Sequence, residues 1–174
     1  SSDATGKPHA DEAARQKKPK KKGPGFDYLR PFLEYRALPK IAKRESAAYR
    51  AAEPFPHIVL DNLFERAIVR RVAREVAVMD FSTFHGTENR HEVKLSTEND
   101  SYLGPATWKL VHSLNSGAFV AFLEVLTGIN ELIADPHLRG GGVHVIRRGG
   151  KLGIRAGFNY YERLKVYRRL NLLL

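Results

Sequence analysis

The sequence predicts an α+β fold: a double-stranded β-helix (jelly roll) with N-terminal supporting helices, incomplete at the C-terminus. Apolar residues recur at helical spacing as far as Gly128, and short Val-, Ile- and Leu-rich runs bounded by glycine follow it. That order, helices then strands, fits supporting helices packed outside a sandwich. A jelly roll needs about eight strands, more than these runs supply, so the sandwich is expected to be partial.

Each element has its own reason. Residues 1–24 carry Lys7, Arg15, Lys17, Lys18, Lys20, Lys21 and Lys22 against Asp3, Asp11 and Glu12, a net +4 of the chain's +10. A basic run broken by Pro and Gly buries no core, so residues 1–24 read as a disordered basic tail. Residues 25–53 read as a lead-in segment holding a helix over Pro39–Ala52. Pro54 to Asn62 reads as a short apolar strand between turn residues. The next helix, Phe64–Met79, turns Phe64, Ile68, Val69, Val72 and Val76 inward and Arg66, Arg70, Arg71 and Arg74 outward.

Residues 81–100 are polar and loop-like, with a short strand at Glu92–Ser96. A helix starts around Tyr102–Trp108, with Pro105 in its first turn where the missing N–H costs little. Ser116 caps a further helix that carries Phe119, Phe122, Leu123 and Leu126 inward and stops at Gly128. Residues 129–138 connect, and strands are expected at Val143–Ile146, Lys151–Phe158 and Val166–Leu174.

With 174 residues and 43% hydrophobic content, the chain suits one domain with a real core. It has no cysteine, which excludes disulfides, Cys-based zinc sites and thiol nucleophiles. No run approaches the roughly 18 apolar residues of a membrane span, and no secretion signal is visible. A cytoplasmic location is the expectation. The initial Ser, and the uncapped apolar run Leu170–Leu174, suggest a processed, trimmed or partial chain.

The glycine-rich end carries a resemblance. Gly149-Gly-Lys-Leu-Gly-Ile154 followed by Phe158-Asn159, then Arg168-Arg-Leu-Asn-Leu172, are similar to two strand phrases of the Fe(II)/2-oxoglutarate-dependent dioxygenases, prolyl-4-hydroxylase-like branch. There the first phrase reads Gly-Gly-x-Leu-x-Ile-His-Ala-Asp-Phe-Asn. The Pro54–Asn62 phrase resembles that family's opening strand. The likeness spans about residues 54–174, the partial oxygenase-like domain, and is densest over 99–174. It implies Fe(II) and 2-oxoglutarate as cofactors, hydroxylation coupled to decarboxylation of 2-oxoglutarate, and a protein or prolyl-peptide substrate.

The departure from the family lies at the metal. Arg155 and Gly157 stand where His and Asp would supply two ligands of the facial triad. Guanidinium has only donors and glycine has no side chain, so neither position binds iron. The resemblance puts the distal His and the 2-oxoglutarate-gripping basic residue beyond position 174. The chain is therefore expected to be inactive, with no catalytic residue and no metal ligand retained. His144, Asn159 and Asn171 are the candidate co-substrate contacts; their plainer roles are a half-buried strand histidine and hydrogen-bonded strand amides.

Asp135 and His137, with His144, have ligand chemistry but proline-broken spacing. Gly140–Gly142 and Gly149–Gly150 read as turns rather than phosphate loops. Asn99-Asp-Ser101 is a formal glycosylation sequon. Glu98, Asn99, Asp100 and Trp108 fall where relatives cover the barrel mouth. The alternative function is a non-catalytic basic module that holds RNA or an acidic partner through residues 1–24, with Arg155 as an anion clamp. A functionless fragment is the third reading.

Overall fold

A computed structural model describes residues 25–80, 82, 85–88, 93–96, 100–138, 141–150 and 159–174. Its helices are α1 (Leu38–Ala51), α2 (Arg66–Ala77), α3 (Pro105–Leu114) and α4 (Gly117–Thr127). Strands β1 (His85–Glu88), β2 (Val93–Ser96) and β3 (His144–Val145) form one antiparallel sheet, in that order. Strands β4 (Tyr160–Tyr161) and β5 (Val166–Tyr167) form a separate antiparallel pair.

The helices start and stop where the residues dictate. Pro39 and Pro105 lie in the first turns of α1 and α3, where a missing N–H is harmless. The Ser116 hydroxyl accepts the Phe119 N–H at 3.3 Å, capping α4, and Gly128 ends that helix in the left-handed region at φ 74°.

Two clusters make the core. In one, Leu33, Leu38 and Ala42 pack against Phe119, Phe122 and Leu126, joining α1 to α4. In the other, Phe32 and Ile68 meet Ala106 and Leu110, joining α2 to α3. Phe64 borders both and ties them together. The 25–53 segment is thus part of the packing rather than an appendage to it, since Phe32, Leu33, Leu38 and Ala42 are all buried.

Several expected elements differ. The 54–62 strand is absent: Ile58 and Leu60 turn toward the α1–α4 cluster, while His57 and Val59 face out, with no ladder among the described residues. Alternation is satisfied there by packing on helices, and Pro54 and Pro56 offer no N–H to a partner strand. Val69 is exposed, because Phe64, Ile68 and Val72 already fill the inward stripe of α2. The polar 81–100 region holds β1 as well as the expected β2, paired from His85↔Ser96 to Glu88↔Val93.

Near the end, β3 is shorter than Val143–Ile146. The Val166–Leu174 strand contracts to Val166–Tyr167, and Leu172, Leu173 and Leu174 are exposed outside any ladder among the described residues. A ladder needs a partner, and among the described residues only Tyr160–Tyr161 supplies one. The expected Lys151–Phe158 strand, with Arg155 and Gly157, lies outside the described residues, as does the 1–24 tail.

Candidate functional site

The region that carries the family phrases is built from turns and short ladders. β3 lies antiparallel to β2, with Leu95 opposite Val145 and Ser96 opposite His144. Val143 and Val145 are half-buried and His144 is exposed, the alternation a strand imposes. Beyond β3 the Gly150 N–H donates to the Arg147 carbonyl at 2.8 Å, and Gly149 adopts φ 83°, a conformation that suits glycine. Gly149-Gly150 is therefore a tight turn, as its composition predicts. In sequence it directly precedes the segment that holds Arg155 and Gly157, which lies outside the described residues.

Downstream, Tyr160 pairs with Tyr167 and Tyr161 with Val166. The Arg168 N–H donates to the Asn159 carbonyl at 2.7 Å. That bond sets Asn159, the last residue of the first phrase, beside Arg168, the first residue of the second. Asn159 and Asn171 both have exposed side chains, unlike the satisfied buried amides considered from sequence. His144 is likewise exposed rather than half-buried. The ladders place His144 in the three-stranded sheet and Asn159 next to the two-stranded pair, so among the described residues no sheet joins them.

Asp135 and His137 form a local turn, with the His137 N–H donating to Asp135 Oδ1 at 3.0 Å. The His137 ring packs edge-on to Tyr161 with centroids 5.8 Å apart. Its Nδ1 is buried and has no hydrogen-bond partner among the described residues. Among the described residues no three His, Cys, Asp or Glu side chains converge on a metal position. Arg155 and Gly157, which the resemblance sets at metal-ligand positions, lie outside the described residues; by chemistry alone a guanidinium and a bare backbone offer Fe(II) no side-chain donor.

A second polar cluster lies where α3 begins. Asp100 Oδ2 accepts from Trp108 Nε1 at 3.0 Å and stands 2.8 Å from His112 Nε2; the two rings stack with centroids 4.0 Å apart. The His112 hydrogen bond is the main cause that holds the Asp100 carboxyl below the usual aspartate range, ahead of the opposing cost of desolvation and the Trp108 bond. Of the four residues placed at the barrel mouth by resemblance, the structure brings Asp100 and Trp108 together. Glu98 and Asn99 lie outside the described residues. His112 was not singled out from sequence, although Trp108 and His112 are four apart on one helix and hence on one face.

The helices are locked by a carboxylate from outside α3. Glu75 of α2 accepts from the Ala106 and Thr107 amides at 3.1 and 2.8 Å and from the Thr107 hydroxyl at 2.9 Å. Arg71 Nε and the Tyr28 hydroxyl complete its partners, at 3.3 and 3.4 Å. It serves α3 as the cap that Gly104 cannot supply, and it lies at the positive end of that helix. Burial pushes the Glu75 carboxyl up, but the amide, hydroxyl and Arg71 interactions outweigh it, leaving the pKa below the usual glutamate value. A Cβ on Gly104 would stand 2.6 Å from Glu75 Oε2, so any larger residue there must push the carboxylate aside.

Compared with protein-family models, with curated proteins and with solved structures, the chain matches none. No single helix among the described residues is long and apolar enough to cross a membrane.

Proposed function

We propose that the chain is built on the scaffold of the Fe(II)/2-oxoglutarate-dependent dioxygenases, in the prolyl-4-hydroxylase-like branch, and that it does not turn over. The observation that carries this reading is the occurrence of two sequence phrases in one chain. Gly149–Asn159 and Arg168–Leu172 each resemble a strand of that family, and one backbone bond joins Asn159, the last residue of the first, to Arg168, the first residue of the second. The Gly149-Gly150 turn supports it by directing the chain from β3 into the phrase where the family's ligand pair stands.

Inactivity follows from Arg155 and Gly157. Without imidazole and carboxylate at those positions the iron keeps neither of two ligands, and the adjacent cation repels a divalent metal. His144, Asn159 and Asn171 are then remnants of a co-substrate pocket rather than working contacts.

Ferrous ion titrated under anaerobic conditions tests this directly. The wild-type chain is expected to bind no stoichiometric Fe(II) and to release no succinate from 2-oxoglutarate above a protein-free control. Arg155→His with Gly157→Asp restores a His-x-Asp pair of donors and should raise affinity for Fe(II), or for Co(II) as a spectroscopic probe, by at least about tenfold. Tight stoichiometric Fe(II) in the wild type would overturn the inactivity. No gain in the double variant would count against the scaffold.

A further inference from the structure

The outer face of α2 is arranged for a different purpose from the glycine-rich end. Arg66, Arg70 and Arg74 are exposed and four residues apart, so their Cα atoms climb the helix in steps of about 6 Å. None of the three has an ion pair among the described residues. The nearest carboxylates in sequence are engaged elsewhere: Glu65 pairs with Arg30, and Glu75 holds the first turn of α3 and Arg71. A groove of about 390 Å³ runs beside the stripe, lined by Phe26, Ala67, Arg70, Arg71 and Arg74. Phe26 is half-buried, backed edge-on by Tyr28 and Phe32 with centroids at 4.9 and 5.8 Å.

We propose that this arginine stripe and the Phe26 groove bind single-stranded nucleic acid. Regularly spaced guanidinium forks suit a line of phosphates better than a single anion, because each fork can take two oxygens of a separate phosphate. The aromatic wall in the same groove gives a base a face or an edge to pack on. The tail lacks such an aromatic, which is why its lysines alone are a weak argument.

The test is fluorescence anisotropy of the full chain with a labelled oligouridine of about 20 nucleotides over a range of KCl, a length well beyond one binding site. Arg66→Ala/Arg70→Ala/Arg74→Ala should weaken binding roughly thirty- to hundredfold near 0.1 M salt, and should reduce the log–log salt slope by about 2. Arg36→Ala/Lys40→Ala/Lys43→Ala removes the same charge from around α1 and should weaken binding by less than about threefold if stripe contacts dominate. Phe26→Leu should weaken binding roughly fivefold or more with the slope unchanged. Should the triple variant fail to fold by near-UV circular dichroism, Arg70→Ala alone should still lower the slope by about 0.7. Equal losses in both triple variants would reduce the effect to net charge and overturn the site. Polyglutamate competing as well as RNA would overturn it in favour of an acidic protein partner.

Discussion

The helical part of the molecule and its glycine-rich end are held together in different ways. Every buried residue among those described lies between Phe32 and Thr127, and the described residues beyond Thr127 contribute none. The helices interlock through two apolar clusters and one multiply bonded carboxylate. The end offers ladders of two residues and exposed Tyr167, Leu172, Leu173 and Leu174. Burial is concentrated in the helices, so the glycine-rich end can be perturbed at little cost to them.

The largest effect is expected in the α1–α4 cluster. Phe122 is 2% exposed and lies 5.2 Å, ring to ring, from Phe119. Phe122→Ala should cost about 3–5 kcal/mol, read as a lower urea midpoint. If it costs less than about 1 kcal/mol, the cluster is not the core and the contrast between the two regions fails.

Next comes the Glu75 lock. Glu75→Gln keeps the size but loses the charge that attracts the α3 amides and Arg71, and should cost about 1–3 kcal/mol at neutral pH. The sign with pH follows from the depressed pKa. A carboxyl held below its unfolded value, near 4.3, stabilises the fold above that value and loses the contribution as pH falls through the folded pKa. The gap between wild type and Glu75→Gln should therefore shrink in acid, below about pH 4, and be flat from pH 6 to 8. Gly104→Ala, which drives a Cβ to 2.6 Å from Glu75 Oε2, should cost about as much by displacing the same carboxylate.

A helix cap gives a smaller effect. Ser116→Ala should cost about 1 kcal/mol by freeing the Phe119 N–H. Gly128→Ala should cost a similar amount, about 1 kcal/mol, from strain at φ 74°, since its Cβ meets nothing closer than Arg50 Nη1 at 3.8 Å.

Those caps were the most legible part of the sequence. Ser116, Gly128 and the spacing of Phe119, Phe122 and Leu126 define α4 with local information alone, as Pro105 does for α3. Strands depend on partners that local pattern does not reveal. Pro54–Asn62 shows strand-like alternation but packs on helices, and Val166–Leu174 pairs for only two residues. Glu75 was hidden for a related reason: nothing local says that a glutamate late in α2 will cap a helix whose first turn begins 30 residues later. At the candidate site, the turn at Gly149-Gly150 was legible because φ above zero favours glycine. The exposure of His144, Asn159 and Asn171 was not, since exposure depends on which sheets meet.

The smallest effect is expected from the β4–β5 pair, which makes it the sharpest check on the comparison. Tyr160 and Tyr167 are directly opposed, with rings 4.9 Å apart and Tyr167 68% exposed. An opposed aromatic pair on an antiparallel ladder contributes about 0.2–1 kcal/mol beyond alanine. With no buried neighbour in the pair to lose, there is no cavity cost to add. A double-mutant cycle of Tyr160→Ala and Tyr167→Ala should return a coupling in that range, with each single change near about 0.5 kcal/mol or less. A coupling above about 2 kcal/mol would mean that these strands are cooperative with the helical core. The weak register that lays Asn159 against Arg168 would then be a fixed part of the fold, and the two regions would have to be treated as one.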